Sequence, residues 1–320
     1  MDLLAKLTSR LSGVPPVEDF VRQAIERGVS IVDPLIKVVP GYDHKLAATT
    51  RDALSYCFKL VSEISGPIDI NRRTFNESPL VHALFSGNGQ IHEMFGKSQS
   101  VRDLLADASA LRNNEFFGLL GMRRHERKVL GVGLYGERVR YEVPQTLLYF
   151  ADHTLLSLSA ELEETHNIIG NLAFDSLARS FAEELKQLRN EKQDLHRQWE
   201  LARAAKGERE RRALPLPELE KRLRDASERL MPESVISAYR EWMASPTSHL
   251  RIDRVTLNVD RLGVVQSLVG DQEHVGDTIS FSELVSRDRR RWIVMLVRIR
   301  KEDMIQAVES FKQSSRYMLI

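Results

Sequence analysis

The chain has one cysteine, Cys57, among its 320 residues, so it cannot form a disulfide within itself. A stapled secreted scaffold is thereby excluded, and a reducing compartment is favoured. The flanking sequence, Ala53-Leu54-Ser55-Tyr56-Cys57-Phe58, has the pattern of a buried helix, which places the thiol in a core. No apolar run approaches the ~20 residues of a membrane span. The start, Met1-Asp2-Leu3-Leu4-Ala5-Lys6, lacks the basic and then apolar regions of a secretory signal. The expectation is a cytoplasmic protein with no membrane span. Excess charge is missing too. The formal net charge is +1, so no overall field steers the chain to nucleic acid or membrane, and any such binding must come from local patches.

Proline is absent between Pro144 and Pro215, and the only glycines there are Gly170 and Gly207. That absence predicts a long charged helix. Leu155, Leu158, Leu162, Ile169 and Leu172 keep one heptad phase. Ala178, Phe181, Leu185, Leu188, Leu195, Trp199 and Ala202 keep another, with Lys192 at a core position. A helix of ~60 residues would be about 90 Å long and must meet another helix, of this chain or of a second copy. The seam Phe181, Leu185, Leu188, Lys192, Leu195, Trp199 is therefore expected to carry self-association, as a homodimer, or to hold a protein partner through residues 178–202. The internal alternative is a hairpin with helices that follow Pro217 and Pro232.

What is present on either side is mixed. Residues 1–114 read as short helices broken by Pro15-Pro16, Pro34, Pro40-Gly41 and Gly66-Pro67. Residues 115–150 carry strand-length apolar runs, with Arg123–Arg127 and Gly136-Glu137 as turns, and read as an antiparallel meander. Residues 151–213 are the long helix and 214–247 the return helices. Residues 248–320 are a C-terminal α+β module. In its last strand Ile293, Met295, Val297 and Ile299 share one apolar face, and the opposite face ends in Arg298 and Arg300. The expected fold is α+β: mainly helical, with a long coiled-coil-like helix and two small antiparallel β-meanders. A weak internal likeness between 117–134 and 281–298 raises the question of a duplication.

No catalytic or cofactor motif is complete. Gly131-Val132-Gly133-Leu134-Tyr135-Gly136 has the spacing of a dinucleotide turn, but strand-like alternation follows where the helix should open. Gly96-Lys97-Ser98 lacks the earlier glycine of a phosphate loop. Glu163-x-x-His166 has the spacing of a carboxylate-bridged metal pair, with no second copy in the chain. No catalytic residue, metal or cofactor is assigned. Asp152-His153 and His92-Glu93 are the first places to look for a pocket. The densest cationic stretch is Arg287-Asp288-Arg289-Arg290-Arg291-Trp292, continued by Arg298. Arginine forks grip phosphates and an aromatic can stack on a base, so Arg287, Arg289, Arg290, Arg291, Trp292 and Arg298 are the candidate nucleic-acid contacts. Three functions are thus carried forward. The first is a non-enzymatic intracellular interaction or scaffold protein acting through the long helix. The second is a nucleic-acid-binding protein acting through the arginine hairpin. The third is an enzyme whose site the sequence does not display.

Overall fold

The computed structural model describes residues 17–108, 112–135, 138–204, 216–266 and 276–317. In chain order the helices and strands are α1 (Asp19–Val32), α2 (Tyr42–Ser62), β1 (Ile68–Asp69), α3 (Arg72–Glu77), α4 (Pro79–Leu84), α5 (Asn88–Lys97), α6 (Gln99–Ala106), β2 (Glu115–Tyr135) and β3 (Arg138–Ser159). There follow α7 (Leu162–Ala204), α8 (Leu216–Arg229), α9 (Pro232–Ala244), β4 (Leu250–Val259), β5 (Val264–Val265), β6 (Asp277–Ser286), β7 (Arg291–Arg300) and α10 (Lys301–Tyr317). Among the described residues no helix is long and apolar enough to cross a membrane. The chain divides into two compact units. One is Met1–Cys57 with Asn171–His249, and the other is Phe58–Gly170 with Leu250–Ile320.

The first unit is helical. Val21, Ala24, Ile25, Gly28 and Val29 form the buried stripe of α1. Gly28 is required by closeness: a Cβ there would lie 2.6 Å from the Tyr239 hydroxyl. On α7, Phe181 packs its ring 5.3 Å from Tyr239 and 5.5 Å from Trp242, both on α9. The Trp242 Nε1 donates to the Leu177 carbonyl across 3.1 Å. Arg27 donates to Asp175 at 2.5 Å and lies over the Phe174 ring. Cys57 is buried, and desolvation pushes its thiol up to about 12. That agrees with the core position expected from its neighbours.

The second unit corrects the expected fold class. In place of two small meanders there is a single seven-stranded mixed sheet, ordered β1-β7-β2-β3-β5-β4-β6. β1 runs parallel to β7, and the remaining pairings are antiparallel. β6 also pairs with β7, so six antiparallel strands close into a circuit that leaves few open edges. The strands assigned to separate N- and C-terminal modules are neighbours: β2 and β7 pair from Glu115↔Arg300 to Met122↔Ile293. Phe116, Leu120, Met122, Leu148, Phe150, Leu155, Phe281, Ile293, Met295 and Val297 form the inner face, under Leu84, Phe95, Val101 and Met304 from the helices. Val294 and Leu296 face the other way, against Val61, Ile64 and Ile169. β7 is thus buried on both faces, as its sequence predicts, and its far end emerges at Arg298 and Arg300.

Two further corrections have a shared cause. Arg123–Arg127 is not a turn but the middle of β2, and the proline-free segment enters α7 only at Leu162. Leu155 and Leu158 therefore belong to β3, outside any helical seam. The ladder of β2 and β3 slips at three places, between Phe117 and Leu119, Gly121 and Arg123, and Gly131 and Gly133. Each slip inserts one extra residue on β3. Each contains a residue with positive φ: Ser157 at 55°, Asp152 at 56° and Glu142 at 59°. The bulges let two strands of over twenty residues coil with the barrel. They also change parity along β3. Leu148 and Phe150 point inward with even numbers, and Leu155 does so with an odd one. A period-two pattern cannot be read across such a shift. The expected turn at Gly136-Glu137 and the helix region 205–213 lie outside the described residues.

Candidate functional site

The β2–β3 ribbon leaves the body of the second unit where its neighbours end. β7 pairs with β2 no further than Met122, and β5 touches β3 only at Thr146 and Leu147. Beyond these points, among the described residues, the two strands pair only with each other, as far as Tyr135↔Arg138. On β2, which carries no extra residue, even-numbered side chains continue the inner face and odd-numbered ones the outer face. Past the charged Arg124, Glu126 and Lys128, Leu130 and Val132 lie on the same inner side as Phe116, Leu120 and Met122, and Pro144 lies opposite Leu130. Val139 pairs with Leu134 and joins that side. Helices cover this face in the body, but among the described residues nothing covers it at the ribbon's end. Leu130 is 70% exposed, Val132 55%, Val139 51% and Tyr141 76%. Gly131 allows the Gln145 side chain to fold across the strand, where its Nε2 donates to the Val132 carbonyl at 3.0 Å.

The outer face of the ribbon's base differs in chemistry. His125 and Tyr149 are cross-strand partners with stacked rings 5.1 Å apart and 13° from parallel. Arg123 places its guanidinium 4.8 Å over the Trp292 ring. Beside this lies the β6–β7 turn, closed by the Ser286 amide donating to the Arg290 carbonyl and the Arg289 amide donating to the Ser286 carbonyl. Arg289 sits at φ 61°.

The structure gathers Arg287, Arg289, Arg290, Arg291 and Trp292 at this turn and separates Arg298 from them. Seven residues of strand put Arg298 ~23 Å away. There it forks onto Asp69 at 2.5 and 2.9 Å, and it also approaches Glu115. The guanidinium holds the Asp69 carboxyl below its usual range. Arg290 pairs with Asp288 at 2.9 Å, and Arg291 with the buried Glu283 at 2.8 Å. Arg124 approaches the other oxygen of Glu283. Ser286 donates to Asp288 and lowers its pKa. Three of the six candidate contacts thus already hold carboxylates.

The seam residues lie inside the first unit. Phe181 meets the α9 aromatics, and Leu185 is buried. Leu188 and Leu195 pack with Leu219 and Ala226 of α8, with Trp199 at the edge of that cluster. The Trp199 Nε1 donates to Glu220 at 3.2 Å. Lys192 is half-buried. The chain's own return helices therefore cover this stripe, and they do so as the internal hairpin alternative foresees.

The two pocket candidates meet in part. A cavity of about 450 Å³ is lined by Glu93, Lys97, Ser98, Asp152, His153 and Leu155, among others. His153 is held on both nitrogens. Ser86 donates to the Gln90 Oε1 through its amide and its hydroxyl, which turns the Gln90 Nε2 toward His153 Nδ1 at 3.3 Å. Nδ1 then accepts, and Nε2 donates to the Leu84 carbonyl at 2.8 Å. Burial lowers the His153 pKa. A neutral ring so fixed braces the α4–α5 connection against β3. Glu163 is exposed and His166 half-buried, and among the described residues no group of three or more metal-capable side chains forms.

Sequence reasoning missed the bare inner face of the ribbon and the His125–Tyr149 stack. The alternation Val139, Tyr141, Val143 was the available signal, but it showed only that a strand exists, not that it outruns its cover. Compared with known proteins, the chain matches no protein-family model, no curated protein and no solved structure.

Proposed function

We propose that this is a non-enzymatic interaction protein whose contacting element is the end of the β2–β3 ribbon. The single observation behind this reading is the exposed apolar face of Leu130, Val132, Val139 and Tyr141. A two-stranded ribbon is marginal in water on its own, and contiguous exposed apolar side chains mark a surface that another chain covers. The reading keeps the protein partner inferred from the long helix but moves the contact, because α7 spends its seam on α8 and α9. The partner must offer an apolar face of its own. A second copy meets that need through a symmetric contact.

A photo-crosslinking residue at Tyr141 tests this in cells that express the full chain. The expected result is one defined adduct, absent when the crosslinker replaces Arg224 on α8. An adduct of twice the chain mass identifies a second copy, and a different defined mass identifies another protein. No adduct at Tyr141 with the fold intact would sink the reading.

A further inference from the structure

The chain's charge is almost balanced, but the balance is not local. Residues 123–128 and 286–292, brought side by side by the β2–β7 register, hold eight arginines and lysines against Glu126 and Asp288. Asp152 approaches Arg123 at 3.6 Å, and Glu283 takes Arg291 and Arg124. Four positive charges remain in excess after these two carboxylates are also counted against the eight; Arg124, Lys128 and Arg291 share the inner side with Glu126 and Glu283, so three of the four belong to the outer face and the turn. Among the described residues no carboxylate pairs with Arg127, Lys128 or Arg289. The cations are interleaved with rings on the outer face of β2, where the odd-numbered residues run Arg123, His125, Arg127. Tyr149, stacked on His125, is 45% exposed. Trp292 lies under Arg123.

We infer that this outer face binds single-stranded nucleic acid, independently of the apolar contact proposed for the ribbon's end. The chemistry is that of a stacking platform beside a cationic track. Bases lie on the exposed Tyr149–His125 stack while phosphates meet Arg127 and Arg289. A duplex keeps its bases stacked on each other and cannot use the rings, so the aromatic contribution separates the two substrates. The arginine hairpin singled out from the sequence supplies one side of the track, and the ribbon supplies the other.

The experiment is fluorescence anisotropy on the full chain with labelled oligo(dT) and oligo(U), and with a duplex of the same length. Binding to the single strands is expected to weaken steeply with salt. Tyr149→Leu, which removes the ring from an exposed site, is expected to weaken binding about tenfold, and Tyr149→Phe to leave it unchanged. Arg127→Ala and Arg289→Ala should each make the salt slope shallower by about 0.7. Arg298→Ala, at the far end of β7, should leave binding unchanged. The inference is overturned by the absence of single-strand binding at low salt. It is equally overturned by a duplex that binds as tightly as the single strands, or by Tyr149→Leu binding like the parent chain.

Discussion

The base and the end of the β2–β3 ribbon are built from the same two strands with the same inward alternation, yet they meet different surroundings. At the base Phe116, Leu120, Met122 and Phe150 are closed under helices α4, α5, α6 and α10. At the end Leu130, Val132 and Val139 continue the same face with none of the described residues of the second unit over it. Apolar content alone therefore does not mark a core. A core also needs a cover, and the described residues supply one for the base of the ribbon and not for its end. The uncovered half is where function is best sought, since it is the part folding leaves unsatisfied.

Side-chain truncation separates the base from the end most directly. Leu120→Ala at the base should cost about 2–5 kcal/mol in urea denaturation, the range for emptying a closed core site. Leu130→Ala at the end should change stability by less than about 0.5 kcal/mol in the isolated chain. Equal losses at the two sites would mean that the end is covered after all. A second test sharpens the account of the base through two glycines of β2. A Cβ at Gly118 would lie 2.7 Å from Leu158 and 3.2 Å from the Leu156 carbonyl, whereas one at Gly121 meets nothing nearer than 3.9 Å. Gly118→Ala should destabilise by about 1–3 kcal/mol through overpacking. Gly121→Ala should be neutral, or stabilising by about 0.4–1 kcal/mol through the unfolded chain.

The smallest effect is a pH dependence confined to the base. His153 has its pKa lowered by burial, so the folded state prefers the neutral ring. Its stabilising contribution is complete above the unfolded value of about 6.5 and is lost as pH falls through the lower folded value. Thermal melts should therefore show a fall in stability on acidification, and His153→Gln should flatten it. Hydrogen exchange should place the acid-induced opening at α4, α5 and the adjoining part of β3. An opening restricted to the ribbon's end would contradict this assignment.

Much of the helical structure was legible because capping and punctuation are local. Ser78 caps α4 just before Pro79, its hydroxyl accepting from the Val81 amide. Ser98 caps α6 in the same way, accepting from the Val101 amide. Both faces of β7 were readable because that strand carries no bulge. The sheet as a whole was not readable, since its joining pairs link β2 to β7 across some 180 residues of chain and no local pattern records them. The site was half visible. The Arg287–Arg291 cluster was in plain view, but its neighbour Tyr149, inside the expected meander, meets His125 through a register that the extra residues of β3 conceal.

The three extra residues of β3 work like insertions in a reading frame. Each one resets which side of the strand every residue beyond it faces. Deleting Asp152 alone would therefore rewrite the ribbon outside the body without touching its composition. Tyr149 would turn toward the side now held by Phe150, while Leu130 and Val132 on β2, which carries no extra residue, would keep theirs. Two strands that share one alphabet thus hold two messages, and a single backbone kink decides which of them is read by solvent.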